Sequence, residues 1–314
     1  MKENFTMTSA DGQTMLHGFI WKPDQERPKA ILQIAHGMVE YIERYDEFAN
    51  HLTKKGYLVV GYDHLGHGAS VQSEELHGYF AEKNGYNILI KDIRKLYINI
   101  KKEYKNIPYF LMGHSMGSFL VRRYLTVYGG NDLDGTILMG TGKQPFLVAL
   151  FGVFMTEIMK RWKGSMYRSC FINNMAFGAY NRKFESPRTD KDWLSRDEEQ
   201  VDRYREHPWC NFVFTVSAYQ DLFRTLCAIE KRDNLIRMDK NMPIFLVSGG
   251  EDPVGNFGKG VRKVYEQYIS LGMKDVMLKL YPLDRHEILN ELDRNDVYSD
   301  IYRWMEKRRG NSQF

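Results

Sequence analysis

Residues 109–128 read YFLMGHSMGSFLVRRYLTVY, and this stretch decides the fold. Its first four residues are apolar and typical of a buried strand, whereas residues 116–128 follow a helical period. Ser115 lies between the two elements, with glycine two positions away on each side. A sharp strand-to-helix turn exposes the hydroxyl of such a serine, and the flanking glycines leave room for it. The stretch therefore predicts a serine nucleophile at the beginning of a helix.

Short apolar strands and amphipathic helices alternate on both sides of this stretch. After a predicted N-terminal hairpin at 5–21, strands are predicted at 30–35, 57–62, 109–112, 136–139, 243–247 and 276–281, and helices at 41–55, 88–104, 116–128, 261–271 and 288–308. This alternation is typical of a mostly parallel sheet with helices on both faces.

The alternation stops between residues 143 and 237. This segment is helical in pattern and rich in aromatic residues, and it contains no convincing strand. We therefore predict one α/β domain in two parts, residues 1–142 and 238–314. Residues 143–237 are predicted to form a helical cap inserted between them.

A nucleophilic serine needs a base, and the base needs an acid that orients it. In a sheet domain of this kind the three residues occur in the order serine, acid, histidine. Only His207 and His286 follow Ser115. His207 lies inside the predicted cap, whereas His286 follows the last predicted strand. His286 is therefore the predicted base.

The acid is predicted to follow the strand at 243–247. Asp252 lies in the turn Gly-Gly-Glu-Asp-Pro directly after that strand, and Pro253 stiffens the turn. Glu251 is the nearest alternative, and Asp284 is a weaker one because it is so close in sequence to His286. We predict Asp252 as the acid.

Two backbone N–H groups are needed to bind the oxyanion that forms when a serine attacks a carbonyl group. Met116 follows the nucleophile at the helix N-terminus and can supply one of them. Met38 lies in the loop after the first parallel strand and can supply the second.

The composition points to no nucleic-acid partner and to no disulfide framework. The net charge of +4 gives no argument for a nucleic-acid partner, and the three cysteines contain no CxxC pair. The sequence begins with polar residues and lacks the pattern of a signal peptide, and its longest apolar run, 146–159, is too short to span a bilayer. A cytoplasmic enzyme is the expectation.

No cofactor or metal is predicted. His64 and His67 have the spacing HxxH, but no helix is predicted there and glycines interrupt the face that would align two imidazoles. The sequence contains no P-loop and no dinucleotide-binding fingerprint.

Five segments, in the same order along the chain, resemble the monoglyceride lipase and lysophospholipase branch of the α/β-hydrolases, which is also described as the serine aminopeptidase S33 type. The resemblance implies an α/β-hydrolase fold, the triad Ser115, Asp252 and His286, and an oxyanion hole formed by the N–H groups of Met38 and Met116. The segments are 36–45 (HGMVEYIERY), 63–70 (DHLGHGAS), 113–118 (GHSMGS), 249–255 (GGEDPVG) and 285–291 (RHEILNE).

The first segment departs from the usual family pattern. Glu40 is followed by Tyr41 where the family usually has histidine, and Val39 replaces a residue that is commonly small. We expect these differences to change the local shape of the pocket and to leave the triad intact.

The resemblance and the apolar run 146–159 together suggest a lipid-like monoacyl ester as substrate, in the class of monoacylglycerols or lysophospholipids. The run predicts either a helix buried between cap and core or a lid that can touch a membrane surface transiently, and both leave an apolar ceiling above Ser115. One alternative is a peptidase or amidase with the same triad, although the loop at 36–40 is not the HGGPG-like loop of proline iminopeptidases. A second alternative is a small-molecule receptor on a hydrolase scaffold.

Overall fold

A computed structural model describes residues 1–184 and 186–309 of the chain. It contains an eight-stranded sheet. The strands are β1 Lys2–Thr8, β2 Met15–Trp21, β3 Ala30–Ala35, β4 Tyr57–Tyr62, β5 Tyr109–His114, β6 Gly135–Met139, β7 Ile244–Gly249 and β8 Val276–Tyr281.

The strand order in the sheet is β1-β2-β4-β3-β5-β6-β7-β8. β1 and β2 form an antiparallel hairpin, and β2 pairs antiparallel with β4. All pairs from β4 to β8 are parallel. Every residue of β3 to β7 is buried, because helices cover both faces of the sheet. This explains the continuous apolar runs of these strands and confirms the predicted fold class.

The helices lie on both faces of the sheet and in the segment between β6 and β7. The helices are α1 Asp46–Thr53, α2 Gly85–Glu103, α3 Met116–Tyr128, α4 Phe146–Lys163, α5 Cys170–Phe177, α6 Glu198–Glu206, α7 Val216–Glu230, α8 Arg232–Leu235, α9 Lys259–Ser270 and α10 Arg294–Arg309. Single 3₁₀ turns cover Ile42–Tyr45, Glu74–Leu76, Tyr180–Lys183, Asp192–Leu194, Pro208–Cys210 and Ile288–Asn290.

Two predicted helices are each divided into two elements. The helix predicted at 41–55 is a 3₁₀ turn followed by α1, and the one predicted at 288–308 is a 3₁₀ turn followed, after a break, by α10. At the second break the Glu291 carboxylate accepts the backbone N–H groups of Arg285 and Leu292 at 2.8 and 3.3 Å. The side chain thus stabilises a loop in place of a helical turn.

The segment between β6 and β7 contains α4 to α8, and its described residues form no strand. In it α4 packs so closely against α7 that a Cβ on Gly152 would lie 2.7 Å from the Phe223 ring. Buried residues of this segment belong to the same hydrophobic cluster as the buried residues of α2 and α3. The boundaries at 143 and 237 stay predictions, and below "the cap" means residues 143–237. Among the described helices, none combines the length and apolar character needed to cross a membrane.

Candidate active site

Ser115 lies at the turn between β5 and α3, at the C-terminal edge of the parallel strands. Its backbone has φ 51° and ψ −120°, a conformation that is strained for a residue with a side chain. The two glycines make this turn possible. A Cβ on Gly113 would lie 2.4 Å from the Gly117 oxygen, and one on Gly117 would lie 2.0 Å from the Ala35 oxygen. The Gly-x-Ser-x-Gly pattern is therefore required by the close approach of the backbone.

His286 lies in the loop after β8, and Asp252 lies in the loop after β7. Both side chains are buried, and Nδ1 of His286 is 3.0 Å from Oδ1 of Asp252. The aspartate is itself held by the N–H of Val254 at 2.8 Å and by the Ser248 hydroxyl at 3.1 Å, both of which donate to it. This arrangement fixes the ring of His286 with Nδ1 toward the carboxylate.

The two alternative acids have other partners. Glu251 forms an exposed ion pair with Lys183, at 2.8 Å. Asp284 forms an ion pair with Arg196 at 2.5 Å. His207, the alternative base, stacks on Tyr41 with ring centroids 4.3 Å apart. Tyr41 is a departure from the family pattern noted above, and its ring packs against the cap.

The loop that carries Met38 lies directly against the nucleophile. A Cβ on Gly37 would be 3.1 Å from Cβ of Ser115, and the Gly37 N–H donates to Oε1 of Glu40. Met38 and Ser115 line the same cavity, whereas Met116 is buried at the beginning of α3. The structure thus brings three of the five predicted site residues, Met38, Ser115 and His286, to one cavity. Met116 follows Ser115 in the chain, and Asp252 lies behind His286. Their catalytic roles stay predictions.

Glu40 is a further residue of the site that was not predicted from the sequence. Its buried carboxylate accepts hydrogen bonds from Nδ1 of His114 and the Tyr45 hydroxyl at 3.0 Å, and from Arg44 at 2.9 Å. Burial alone would raise the pKa of Glu40, but the hydrogen bond and charge of His114 and the charge of Arg44 hold it well below its usual range. Burial would lower the pKa of His114, but Glu40 outweighs that effect and raises it.

This carboxylate belongs to a closed ring of contacts that we call the Glu40 ring. Arg44 also donates to both carboxylate oxygens of Glu287 at 2.6 Å, and Glu287 follows His286 in the chain. The contact that completes the Glu40 ring is between Nε2 of His114 and the His286 carbonyl oxygen, which are 3.4 Å apart. The Glu40 ring thus connects the Met38 loop, the residue before the nucleophile and the loop of the predicted base. Glu40, Arg44 and His114 lie in matched segments, but no local signal predicts that they meet.

The cavity above Ser115 has a volume of about 490 Å³. The core contributes its floor, and the cap contributes most of the remaining wall. The Trp193 ring of the cap lies 5.2 Å from the His286 ring, measured between centroids. The apolar part of the wall comes from Met38, Phe177, Trp193, Leu194, Phe212 and Val213.

His64 and His67 are core residues that pack beneath the Met38 loop. With His36 they form a group of buried rings whose centroids are 4.3 to 6.4 Å apart. Burial lowers the pKa of His64 to about 4 and that of His67 to about 3, so both rings are neutral near pH 7. Within residues 1–184 and 186–309, the cluster with metal-ligand spacing is Asp284, Glu291 and Asp293. That cluster already surrounds the Arg196 guanidinium.

Three comparisons relate the chain to known proteins. Residues 26–293 match the sequence model of the family described as serine aminopeptidase, S33. The monoglyceride lipase homolog of monkeypox virus is 38% identical over 290 residues, which cover 92% of this chain and 93% of the viral protein. Mouse (Mus musculus) monoglyceride lipase is 27% identical over 309 residues, 96% of this chain and 90% of the mouse protein.

The structure is similar to that of a thermostable carboxyl esterase from Bacillus coagulans, solved in complex with glycerol. The TM-score is 0.91 at 26% identity, over 98% of this chain and 99% of the esterase. The family model and the viral relative each cover most of the chain, and the expected resemblance is confirmed. The chain therefore belongs to the serine aminopeptidase S33 family and is an ester hydrolase with the α/β-hydrolase fold.

Proposed function

We propose that the enzyme cleaves a lipid-like monoacyl ester through an acyl-enzyme intermediate on Ser115. The hydroxyl of Ser115 attacks the ester carbonyl carbon while Nε2 of His286 takes its proton. The oxyanion accepts hydrogen bonds from the N–H groups of Met38 and Met116. His286 then gives the proton to the leaving alcohol, and a water molecule deprotonated by the same ring hydrolyses the acyl-serine.

The observation that carries this proposal is the 3.0 Å contact between Nδ1 of His286 and Asp252, at a cavity that Ser115 also lines. A carboxylate bound to Nδ1 holds the proton on that nitrogen and leaves Nε2 free to act as the base. It also stabilises the imidazolium that forms when the serine proton is transferred. The strained turn at Ser115 is the second support, because such strain is typical of a nucleophile held for reaction.

The proposed substrate class is monoacylglycerol or lysophospholipid. Its support is the apolar part of the wall of the 490 Å³ cavity, which lies beside polar side chains such as Asn173 and Asn181, and the names of the mouse and viral relatives, a monoglyceride lipase and a monoglyceride lipase homolog. An acyl chain gains free energy by leaving water for such a wall, whereas a sugar or a charged peptide does not.

Transient contact with a membrane surface is proposed for the outer face of α4. Leu147, Phe154 and Trp162 on this helix are 75, 59 and 81% exposed. The exposed basic side chains of Arg161 and Lys163 follow on the last turn. An apolar face next to basic residues favours a lipid surface with anionic headgroups as its occupant. Such contact would bring a poorly soluble ester to the cap.

A cytoplasmic location is proposed from the cysteines. Cys170, Cys210 and Cys227 are all unpaired, and two of them are buried. Free thiols are typical of proteins in a reducing compartment.

The proposal is tested by labelling with a fluorophosphonate probe and by a substrate panel. The Ser115→Ala variant should lose both labelling and turnover, whereas the Ser270→Ala variant, altered at an exposed serine of α9, should keep both. Labelling that persists in Ser115→Ala would contradict the proposed nucleophile.

The panel compares monoacylglycerols, lysophospholipids and short acyl nitrophenyl esters with aminoacyl naphthylamides. We expect the acyl esters to be the faster substrates. Because the family description names an aminopeptidase, faster turnover of the aminoacyl amides would replace the esterase proposal with the peptidase alternative. Absence of turnover with every acyl ester of the panel would contradict the proposed substrate class.

A further inference from the structure

The loop that carries His286 is hydrogen-bonded to the cap through its backbone. We call residues 284–291 the base loop and residues 193–196 the cap strip. The His286 N–H donates to the Trp193 carbonyl oxygen at 3.3 Å, and the Glu287 N–H donates to the Leu194 carbonyl oxygen at 2.7 Å. Two consecutive backbone hydrogen bonds therefore connect the cap strip with the base loop.

Side chains reinforce this backbone pairing from both partners. The Ser195 hydroxyl of the cap strip donates to the Asn290 carbonyl oxygen at 2.9 Å. In the other direction the Arg285 guanidinium donates to the Ser195 carbonyl oxygen at 3.1 Å. The two segments are thus connected at several points along their length.

Glu291 is the residue where the two segments meet most closely. One carboxylate oxygen accepts the backbone N–H of Arg285 at 2.8 Å and that of Arg196 at 3.1 Å. The other oxygen accepts Nε of Arg196 at 3.0 Å. Glu291 is fully buried, so this single side chain fixes the distance between the cap strip and the base loop.

Arg196 supplies the positive charge that this arrangement requires. Its guanidinium also donates to Asp284 at 2.5 Å and to Asp293 at 2.7 Å. Burial, and then the neighbouring Glu291, raise the pKa of Asp284 to about 8, and the charge of Arg196 opposes that rise. Without the guanidinium, the buried Glu291 carboxylate would be left without a cation, and Asp284 would lose a hydrogen-bond partner, next to the predicted base.

We propose that the cap strip is a positioning element for His286, with Arg196 as its anchor, so that displacement of the cap moves the base out of register with Ser115. The inference rests on the proposed role of His286 and goes beyond it, because it couples the state of the cap to catalytic competence. Arg196 is a positioning residue that acts through Asp284 and Glu291, which flank the base in sequence.

The test compares Arg196→Ala and Arg196→Lys with the wild-type enzyme on a soluble nitrophenyl ester. We expect Arg196→Ala to lower kcat by about 100-fold, since displacement of a catalytic group by 1 Å is enough for a loss of that size. KM should change far less. Added guanidinium ion should restore part of the activity of Arg196→Ala, and Arg196→Lys should be intermediate, because lysine keeps the charge and loses the forked geometry.

A proton spectrum separates positioning from a purely structural role. The proton on Nδ1 of His286, bonded to Asp252, is expected as a downfield resonance that shifts or broadens in Arg196→Ala. The control is Arg203→Ala, which removes an exposed arginine paired with Glu199 on α6 and should change neither kcat nor the resonance. If Arg196→Ala does not fold, the same two readouts are taken on Arg196→Lys and Ser195→Ala.

The inference is overturned if the folded Arg196 and Ser195 variants keep both kcat and the wild-type resonance, even when the melting temperature falls. That outcome leaves the proposed function intact when Ser115→Ala is inactive in the same assay. Activity that persists in Ser115→Ala would contradict the proposed function, whatever the Arg196 variants do.

Discussion

Glu40 and His114 form a buried hydrogen-bonded pair directly behind the nucleophile, with Nδ1 of His114 3.0 Å from Oε1 of Glu40. The pair lies where three active-site loops meet, since Glu40 also accepts the Gly37 N–H and His114 approaches the His286 carbonyl oxygen. A charge at this depth is stable only with its partners present. The pair therefore gives the site a rigid support.

The first prediction concerns Glu40→Gln, which keeps an acceptor oxygen and loses the charge. Without the carboxylate, His114 loses the interaction that raises its pKa against the effect of burial, whereas Arg44 keeps Glu287 as its partner. We expect the free energy of unfolding to fall by about 3 kcal/mol, with a lower kcat. Denaturant titration and ester hydrolysis measure these effects. Glu43→Gln, an exposed acid three residues away, is the control, and equal behaviour of the two variants would contradict the account.

The second prediction separates Asp252 from its neighbour Glu251. Asp252→Asn should lower kcat by about 10⁴-fold, because an amide favours the wrong tautomer of the histidine. Glu251→Gln should keep nearly full activity, since Glu251 is paired with exposed Lys183. Steady-state kinetics on a nitrophenyl ester decides between the two acids. A larger loss in the Glu251 variant would assign the acid to position 251.

The third prediction is a difference in pH dependence at His67. Its folded pKa of about 3 lies below the unfolded value of 6.5, so the unfolded chain binds the proton more readily between these values. The stability contributed by the neutral ring is complete above pH 6.5 and is lost as the pH falls. His67→Phe removes this titration and keeps an aromatic ring beside Phe80 and Phe214.

Between pH 7 and pH 5, we therefore expect the unfolding free energy of His67→Phe to rise relative to wild type by about 2 kcal/mol. Buried carboxyls whose pKa values are raised, such as Asp63, are present in both proteins. Their contribution to the pH dependence of the unfolding free energy therefore cancels in the difference. Denaturant titrations at several pH values provide the measurement. A difference that stays constant with pH would show that His67 does not remain neutral in the folded state.

The fourth prediction concerns the outer face of α4. Leu147→Ser combined with Phe154→Ser should weaken binding to anionic vesicles and leave turnover of a soluble short ester unchanged. Both side chains are largely exposed, so their loss removes apolar area available to a lipid surface. Co-sedimentation with vesicles is the assay, and Ile98→Ser, at an exposed apolar position on α2, is the control. Equal vesicle binding by all three proteins would contradict the membrane proposal.

The sequence predicts the sheet because the buried strands are short apolar runs that alternate, outside the cap, with helices of regular period. It also predicts the turn at Ser115, since this conformation depends on neighbouring glycines. The Glu40 ring could not be predicted in this way. Glu40 and His114 are 74 positions apart, and Arg44 and Glu287 are 243 apart, so their contacts depend on the assembled sheet.

The contacts between the cap and the base loop could not be predicted from the sequence either. Trp193 and Arg196 lie between α5 and α6, and their role depends on contacts with a loop about 90 residues later in the chain. The break before α10 also depends on contacts between distant residues, because the Glu291 carboxylate accepts hydrogen bonds from the backbone N–H groups of Arg196 and Arg285. Local propensity favoured a continuous helix there, and tertiary hydrogen bonds outweighed it.

The central claim is that Ser115 carries the acyl group between two steps, and rapid-quench mass spectrometry with a nitrophenyl ester tests it most directly. We predict a burst of about one nitrophenol per enzyme molecule, accompanied by an adduct with the mass of the acyl group on the peptide that contains Ser115. Turnover with no adduct, or an adduct on any other residue, would contradict the account.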